Sequence, residues 1–371
     1  MKNELELNEM ILGITNKIRE RDPELLKYLN EMPITVPYQE NPEITVKTLT
    51  SYYDSLVALL DKYEHHHPKN VLPNKFENLP ITEIMTMELD NSYQNLLTEA
   101  NNVTISYNDV GEGTIPVIFL HGFPFDKSMW KGQLDSLKSS NRVIACDIRG
   151  FGQSRDENTT LSIDLFSEDL LSFMDKLNIK KAILCGLSMG GYICMNAVKR
   201  FPERFEALIL CDTQCIADTT EVKENRYKTI EQITLDGAEA FNEKFIKSVF
   251  HPDSLTNKIE LVENLRSIVF ANSKSIITAG LTALAERSET CATLNAIHIP
   301  TLIICGREDA VTPLVQSEFM HQRIEGAKLK IINNAGHVSN LEQPEEFNKY
   351  LSDFLNSLNA VSDEDTNIEC S

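Results

Sequence analysis

The chain has 371 residues, 42% of them hydrophobic, and a formal net charge of −20. That is long enough for one large α/β domain with an appendage. The acidic balance argues against nucleic-acid phosphates or anionic lipid as partners, and no apolar run reaches the roughly 20 residues of a membrane-spanning helix.

Residues 1–75 read as helical. Leu7, Ile11, Ile14 and Ile18 recur at helical spacing, and Asp22-Pro23 caps a second helix. Pro33 and Pro37 break it, and Leu49, Leu56 and Leu60 mark a third amphipathic stretch. These stripes must be buried somewhere, and self-association is one route. The opening MKNELELNEM lacks the basic start and apolar core of a secretory leader, so a cytoplasmic location is expected. The Pro- and Asn-rich connector that follows includes His65, His66 and His67. Adjacent positions on a regular helix or strand cannot converge on one metal, so no metal site is expected there. A linker is placed at 76–91 and a second domain at 92–358.

At Ser92 the pattern changes. Asn101-Asn102 signals a hairpin. Six short apolar runs follow: IPVIFL, RVIAC, KAILC, FEALILC, PTLIIC and LKII. They alternate with helical stretches, which predicts a mostly parallel sheet covered on both faces. The alternation pauses over about 213–298, where four helical segments form a candidate cap over the strand ends, the face at which open α/β sheets bind ligands. Cys146, Cys185, Cys211 and Cys305 lie in apolar runs and no C-x-x-C pair occurs, so the cysteines are expected to be reduced core thiols. The acidic residues 359–371 are expected to be a disordered tail.

One stretch stands apart. CGLSMGG, from Cys185, fits G-x-S-x-G through Gly186, Ser188 and Gly190, and it follows a strand and opens a helix. Such a strained turn can lift a serine hydroxyl clear of the sheet. Serine needs a base, and the base needs an acid to orient it. His337 follows the last strand and Asp309 ends the one before it; Glu308 and Asp212 are alternative acids. All fall at strand carboxyl ends, where they can meet Ser188. Backbone N–H groups of Met189, directly after the serine, and of Phe123, in the HGFP turn, are candidate oxyanion donors. His121 and Gly122 are expected to shape that turn, and Asp147–Ser154 to support a loop near the site.

HGFP, DIRGFGQS, GLSMGG, GREDAVTP and AGH, in this order and with a helical cap between the sixth and seventh strands, resemble the α/β-hydrolase family. The likeness runs over about 92–358. It implies a Ser188–Asp309–His337 triad, Phe123 and Met189 as oxyanion donors, and no cofactor. Within the family the chain looks most like carboxylesterases, 3-oxoadipate enol-lactonase-like proteins and cofactor-free peroxidase-like relatives. The expected activity is hydrolysis of a small ester or lactone. C–C bond hydrolysis, perhydrolysis and ligand reception without catalysis are the alternatives. The N-terminal helical region lies outside the likeness.

Overall fold

The computed structural model describes Val57 and residues 95–154, 156 and 160–368, with side chains of the last helix as far as Leu358. All of these except Val57 belong to one compact unit, Asn91–Ser371. The helices expected within 1–75, the linker at 76–91 and His65–His67 lie outside the described residues.

The chain enters through β1 (Leu96–Ala100) and β2 (Val103–Val110), an antiparallel pair. Asn101 and Asn102 between them have φ values of 48° and 60°. Two successive left-handed residues give the turn whose twist matches a hairpin, and asparagine tolerates that conformation better than most residues. The Asn-Asn signal is thus explained.

Beyond the hairpin come β3 (Val117–Leu120), α1 (Lys131–Leu137), β4 (Val143–Cys146), α2 (Ile163–Lys176), β5 (Ala182–Leu187), α3 (Met189–Arg200) and β6 (Phe205–Cys211). The cap then interposes α4 (Thr220–Asp236), α5 (Glu239–Val249), the short α6 (Ser254–Asn257), α7 (Ile259–Phe270) and α8 (Lys274–Ala285). β7 (Thr301–Gly306), α9 (Leu314–Arg323), β8 (Lys328–Ile332), α10 (Ser339–Glu342) and α11 (Pro344–Ile368) complete the domain. The strands form one eight-stranded sheet in the order β1-β2-β4-β3-β5-β6-β7-β8, and every pair from β4 to β8 is parallel.

The central strands β3, β4 and β5 are buried and apolar throughout because both faces of the sheet are covered there. Along β3, Ile118 and Leu120 join one core with Phe166 and Ile193 from α2 and α3. Val117 and Phe119 point the other way, into a second core with Trp130, Leu134, Phe347 and Leu351. Successive strand side chains face opposite sides, so one short run feeds both cores. No single helix among the described residues is long and apolar enough to cross a membrane.

Two expectations are corrected. Cys215 and Cys291 form a disulfide, so not every cysteine is a free thiol. Cys215 lies where the chain leaves the sheet for the cap and Cys291 where it returns. Because β6 and β7 are neighbours, exit and re-entry are brought together. The other correction is at the end of the chain. α11 runs to Ile368, through ten residues of the tail expected to be disordered from 359. Phe347, Leu351, Phe354 and Leu355 anchor the start of α11 in the core. Once a helix is nucleated, each further residue adds a backbone hydrogen bond at little additional cost.

Candidate active site

Ser188 sits between β5 and α3, with φ 54° and ψ −114°. A non-glycine residue held there costs about 1–3 kcal/mol, which the surrounding structure must supply. The Ser188 N–H donates to the Cys211 carbonyl at 3.0 Å, and its own carbonyl accepts from Thr213 Oγ1 at 2.8 Å. The glycines on either side allow close backbone approach. A Cβ on Gly186 would lie 2.3 Å from the Gly190 oxygen, and one on Gly190 would lie 2.2 Å from the Leu120 oxygen. The G-x-S-x-G spacing is therefore demanded by packing as well as by the turn.

Strands β7 and β8 bring up the other two residues. His337 Nδ1 and Asp309 Oδ2 are 2.9 Å apart, and both residues are buried. Asp309 Oδ1 accepts from the backbone N–H groups of Val311 and Thr312, and Oδ2 also accepts from Thr312 Oγ1 at 2.7 Å. Burial disfavours the charged carboxylate, but His337 and these donors outweigh it and hold Asp309 below its ordinary range. Burial likewise opposes charge on His337; the Asp309 carboxylate overcomes it and raises the imidazole above its ordinary range. Of the three carboxylates considered from sequence, Asp309 is the one bonded to the imidazole.

The HGFP turn borders the serine: a Cβ on Gly122 would be 3.2 Å from Ser188 Cβ. Met189 is the first residue of α3, and first-turn N–H groups have no acceptor within their helix. Both ring nitrogens of His121 are engaged. Nδ1 donates to the Gly122 carbonyl at 2.9 Å, which leaves Nε2 to accept from the Ile148 N–H, also at 2.9 Å. Burial lowers this imidazole's pKa. Neutral and fully bonded, it shapes the turn.

A family model for the alpha/beta hydrolase fold matches residues 115–344. The chain belongs to the α/β-hydrolase family. It is 33% identical over 272 residues to 3-oxoadipate enol-lactonase 1 of Acinetobacter baylyi, spanning 71% of this chain and 97% of the relative. It is 29% identical over 277 residues to a 2-hydroxy-6-oxononadienedioate/2-hydroxy-6-oxononatrienedioate hydrolase of Paraburkholderia phymatum, spanning 71% and 94%. Among solved structures, a thermophilic esterase from Thermogutta terrifontis matches with a TM-score of 0.68 and 31% identity, over 71% of this chain and 99% of that one. The enol-lactonase from Burkholderia xenovorans matches with a TM-score of 0.66 and 26% identity, over 70% and 100%.

Other residues of this α/β-hydrolase hold the site in place. Asp147 accepts from the Lys127 N–H and Nζ and from the Gln153 N–H, and Arg149 pairs with Asp169 and Asp156. These bonds fix the DIRGFGQS loop, as its sequence suggested. Asp212 is engaged elsewhere than Asp309: its carboxylate takes the Gly306 N–H at 2.7 Å and Ser339 Oγ at 2.5 Å. Burial, then the neighbouring Asp309 charge, pushes its pKa well above the ordinary range. Glu308 accepts from the Ala335 N–H. Asp212, Cys305 and Asp309 bring possible ligand atoms within 4.8 Å of one another, but both carboxylates already serve the hydrogen bonds above.

Sequence reasoning missed Glu342. This buried carboxylate accepts from the Gly336 N–H at 2.6 Å and the His251 N–H at 2.8 Å. The His337 N–H in turn donates to the Val249 carbonyl at 2.8 Å. The turn carrying the imidazole is thereby tied to the end of cap helix α5. A glutamate five residues past a histidine carries no local signal of this; its second partner is 91 residues away.

Proposed function

We propose that this α/β-hydrolase cleaves a small carboxylic ester or lactone through an acyl-enzyme on Ser188. The observation that carries the reading is the buried Asp309–His337 hydrogen bond at the same sheet edge as a serine in a strained strand-to-helix turn. His337 Nε2 takes the hydroxyl proton as Ser188 Oγ attacks the carbonyl. Asp309 keeps Nδ1 protonated, holds the ring's orientation and stabilises the imidazolium. The N–H groups of Phe123 and Met189 receive the oxyanion; removing one such donor typically costs about 2.7–4 kcal/mol. The imidazolium then protonates the leaving alkoxide, so the alcohol departs or, for a lactone, the ring opens. Water activated by His337 attacks the acyl-enzyme, and Ser188 recovers its proton as the acid leaves. Besides substrate and water, each of these steps uses only side chains and backbone of this chain.

The esterase and enol-lactonase among the similar proteins support this substrate class. The relative from Paraburkholderia phymatum, named for a dienedioate hydrolase, supports C–C bond cleavage as a second reading of the same residues. The test is turnover of p-nitrophenyl acetate and butyrate, and of a graded panel of lactones and vinylogous diketones, with Ser188→Ala as control. Ester or lactone turnover that vanishes in Ser188→Ala supports the proposal. Turnover of diketones alone would move the assignment to the second reading, and no turnover of any class would leave a binding protein on this fold.

A further inference from the structure

Phe123 enters the site twice. Its backbone N–H is a proposed oxyanion donor, and its ring is enclosed by the cap and the neighbouring loop. The ring is buried, edge-on to Phe151 at a centroid distance of 5.9 Å. Phe241 and Phe245, one helical turn apart on cap helix α5, approach it at 6.4 and 6.2 Å. Cap helix α8 approaches through Gly280. A Cβ there would lie 2.5 Å from Phe123 Cε2, 2.8 Å from Cδ2 and 3.2 Å from Phe151 Cζ. Two of these distances are shorter than side-chain carbons tolerate. The ring that would have to yield already meets phenyl groups on the loop and on α5. Gly280 lies mid-helix, where glycine costs about 1 kcal/mol relative to alanine, so local helix stability does not favour it.

We infer that Gly280 is a positioning residue for the oxyanion hole: by leaving room for the Phe123 ring, it lets the cap hold the Phe123 N–H in working geometry. The inference rests on the assignment of that N–H in the proposed function. A methyl at position 280 pushes the ring, and through Cβ the short backbone segment next to Ser188. An oxyanion donor acts on the transition state more than on bound substrate, so displacing it lowers kcat and leaves KM comparatively unchanged.

The full-length Gly280→Ala variant is compared with wild type on p-nitrophenyl butyrate, together with inhibition by butylboronic acid. The boronate's tetrahedral adduct with Ser188 Oγ places an oxygen where the oxyanion forms. The expected result is a fall in kcat of about tenfold and a similar loss of boronate affinity, with KM within about twofold. Shortening the ring in Phe123→Leu/Gly280→Ala should recover part of both losses relative to Gly280→Ala alone, because the clashing ring atoms are gone. Unchanged kcat and boronate affinity overturn the inference, as does a loss confined to KM or one the second substitution does not relieve. If Gly280→Ala fails to fold, Phe245→Leu decides. It loosens the ring from the α5 side and should give the same joint loss; unaltered kcat and boronate affinity would overturn the inference. Ser188→Ala in the same assay tests the underlying reading separately. Turnover persisting there defeats the proposed function itself, whatever Gly280→Ala does.

Discussion

Ser188 is 8% exposed and projects from a turn, so Ser188→Ala should leave the fold intact while removing esterase activity. Loss of a triad member costs on the order of 10⁴ in rate. Wild-type turnover by a folded mutant, measured with an active-site titration, would refute the nucleophile. The acid makes a sharper prediction. With Asp309→Asn the anion that raises His337 is gone and burial remains, so the pH–rate limb should shift to lower pH as the rate collapses. In the wild type the base must be neutral, and its pKa is raised. Turnover should therefore climb through a single ionisation above the ordinary imidazole value of about 6.5 and then level off. The same ionisation has the opposite sign for stability: the increment from protonated His337 is present below its unfolded pKa and is lost as pH rises through the folded one. Asp212→Asn should move the limb down much less than Asp309→Asn does, because Asp212 reaches the imidazole only through its charge and bonds Gly306 and Ser339 instead. Glu342→Gln turns an amide group toward at least one of two N–H donors. It should cost about 1–3 kcal/mol in chemical denaturation and lower kcat through the His337 turn; unaltered kcat in a folded variant would remove Glu342 from the positioning role.

At the scale of elements, what was legible is what is local. Strands β4 to β7 are short, mostly apolar runs that end at or beside glycine or acid, and each was found, as were the hairpin at Asn101-Asn102 and the helical cap. Ser188, Asp309 and His337 could be singled out as candidates because a parallel sheet delivers its strand ends to one edge. What was not legible depends on contacts between distant segments. Cys215 and Cys291 are 76 residues apart, and nothing near either marks a partner. Glu342 and Gly280 acquire meaning only from the cap helices that reach them. The bridge supports a prediction of its own. It joins the two ends of the cap, and Thr290 also donates its N–H to the Cys215 carbonyl at 2.9 Å. Breaking it with Cys215→Ser should cost about 2–4 kcal/mol, seen as a lowered melting temperature that reductant reproduces in the wild type. A melting temperature indifferent to both would mean that the bridge contributes nothing to stability. Because the backbone bond at the same junction survives, the cap's base should loosen rather than detach.

The whole molecule poses the question of what residues 1–90 contribute. The residues that carry the proposed chemistry, Ser188, Asp309 and His337 with the N–H groups of Phe123 and Met189, all lie downstream of Asn91. Both hydrophobic cores described here are built from residues between Leu96 and Leu358. The family match begins at 115. A chain beginning at Leu79 therefore retains every described strand and both cores, and it should fold and keep most of its esterase activity per active site. Among the described strands β1 lies at an edge of the sheet, and Leu97 on it is 61% exposed. Open edges are where a sheet recruits a further segment or a second chain. The sequence upstream offers apolar stripes at Leu7, Ile11, Ile14 and Ile18 that must find cover. Comparing the masses of the full and shortened chains by light scattering separates the possibilities. A larger assembly from the full chain alone would assign the N-terminal stripes to a second copy. Equal assembly with equal activity would mean that they are satisfied within residues 1–78. An insoluble or inactive shortened chain would show that the hydrolase domain needs them as a packing surface, and the boundary after Asp90 would then divide one cooperative unit.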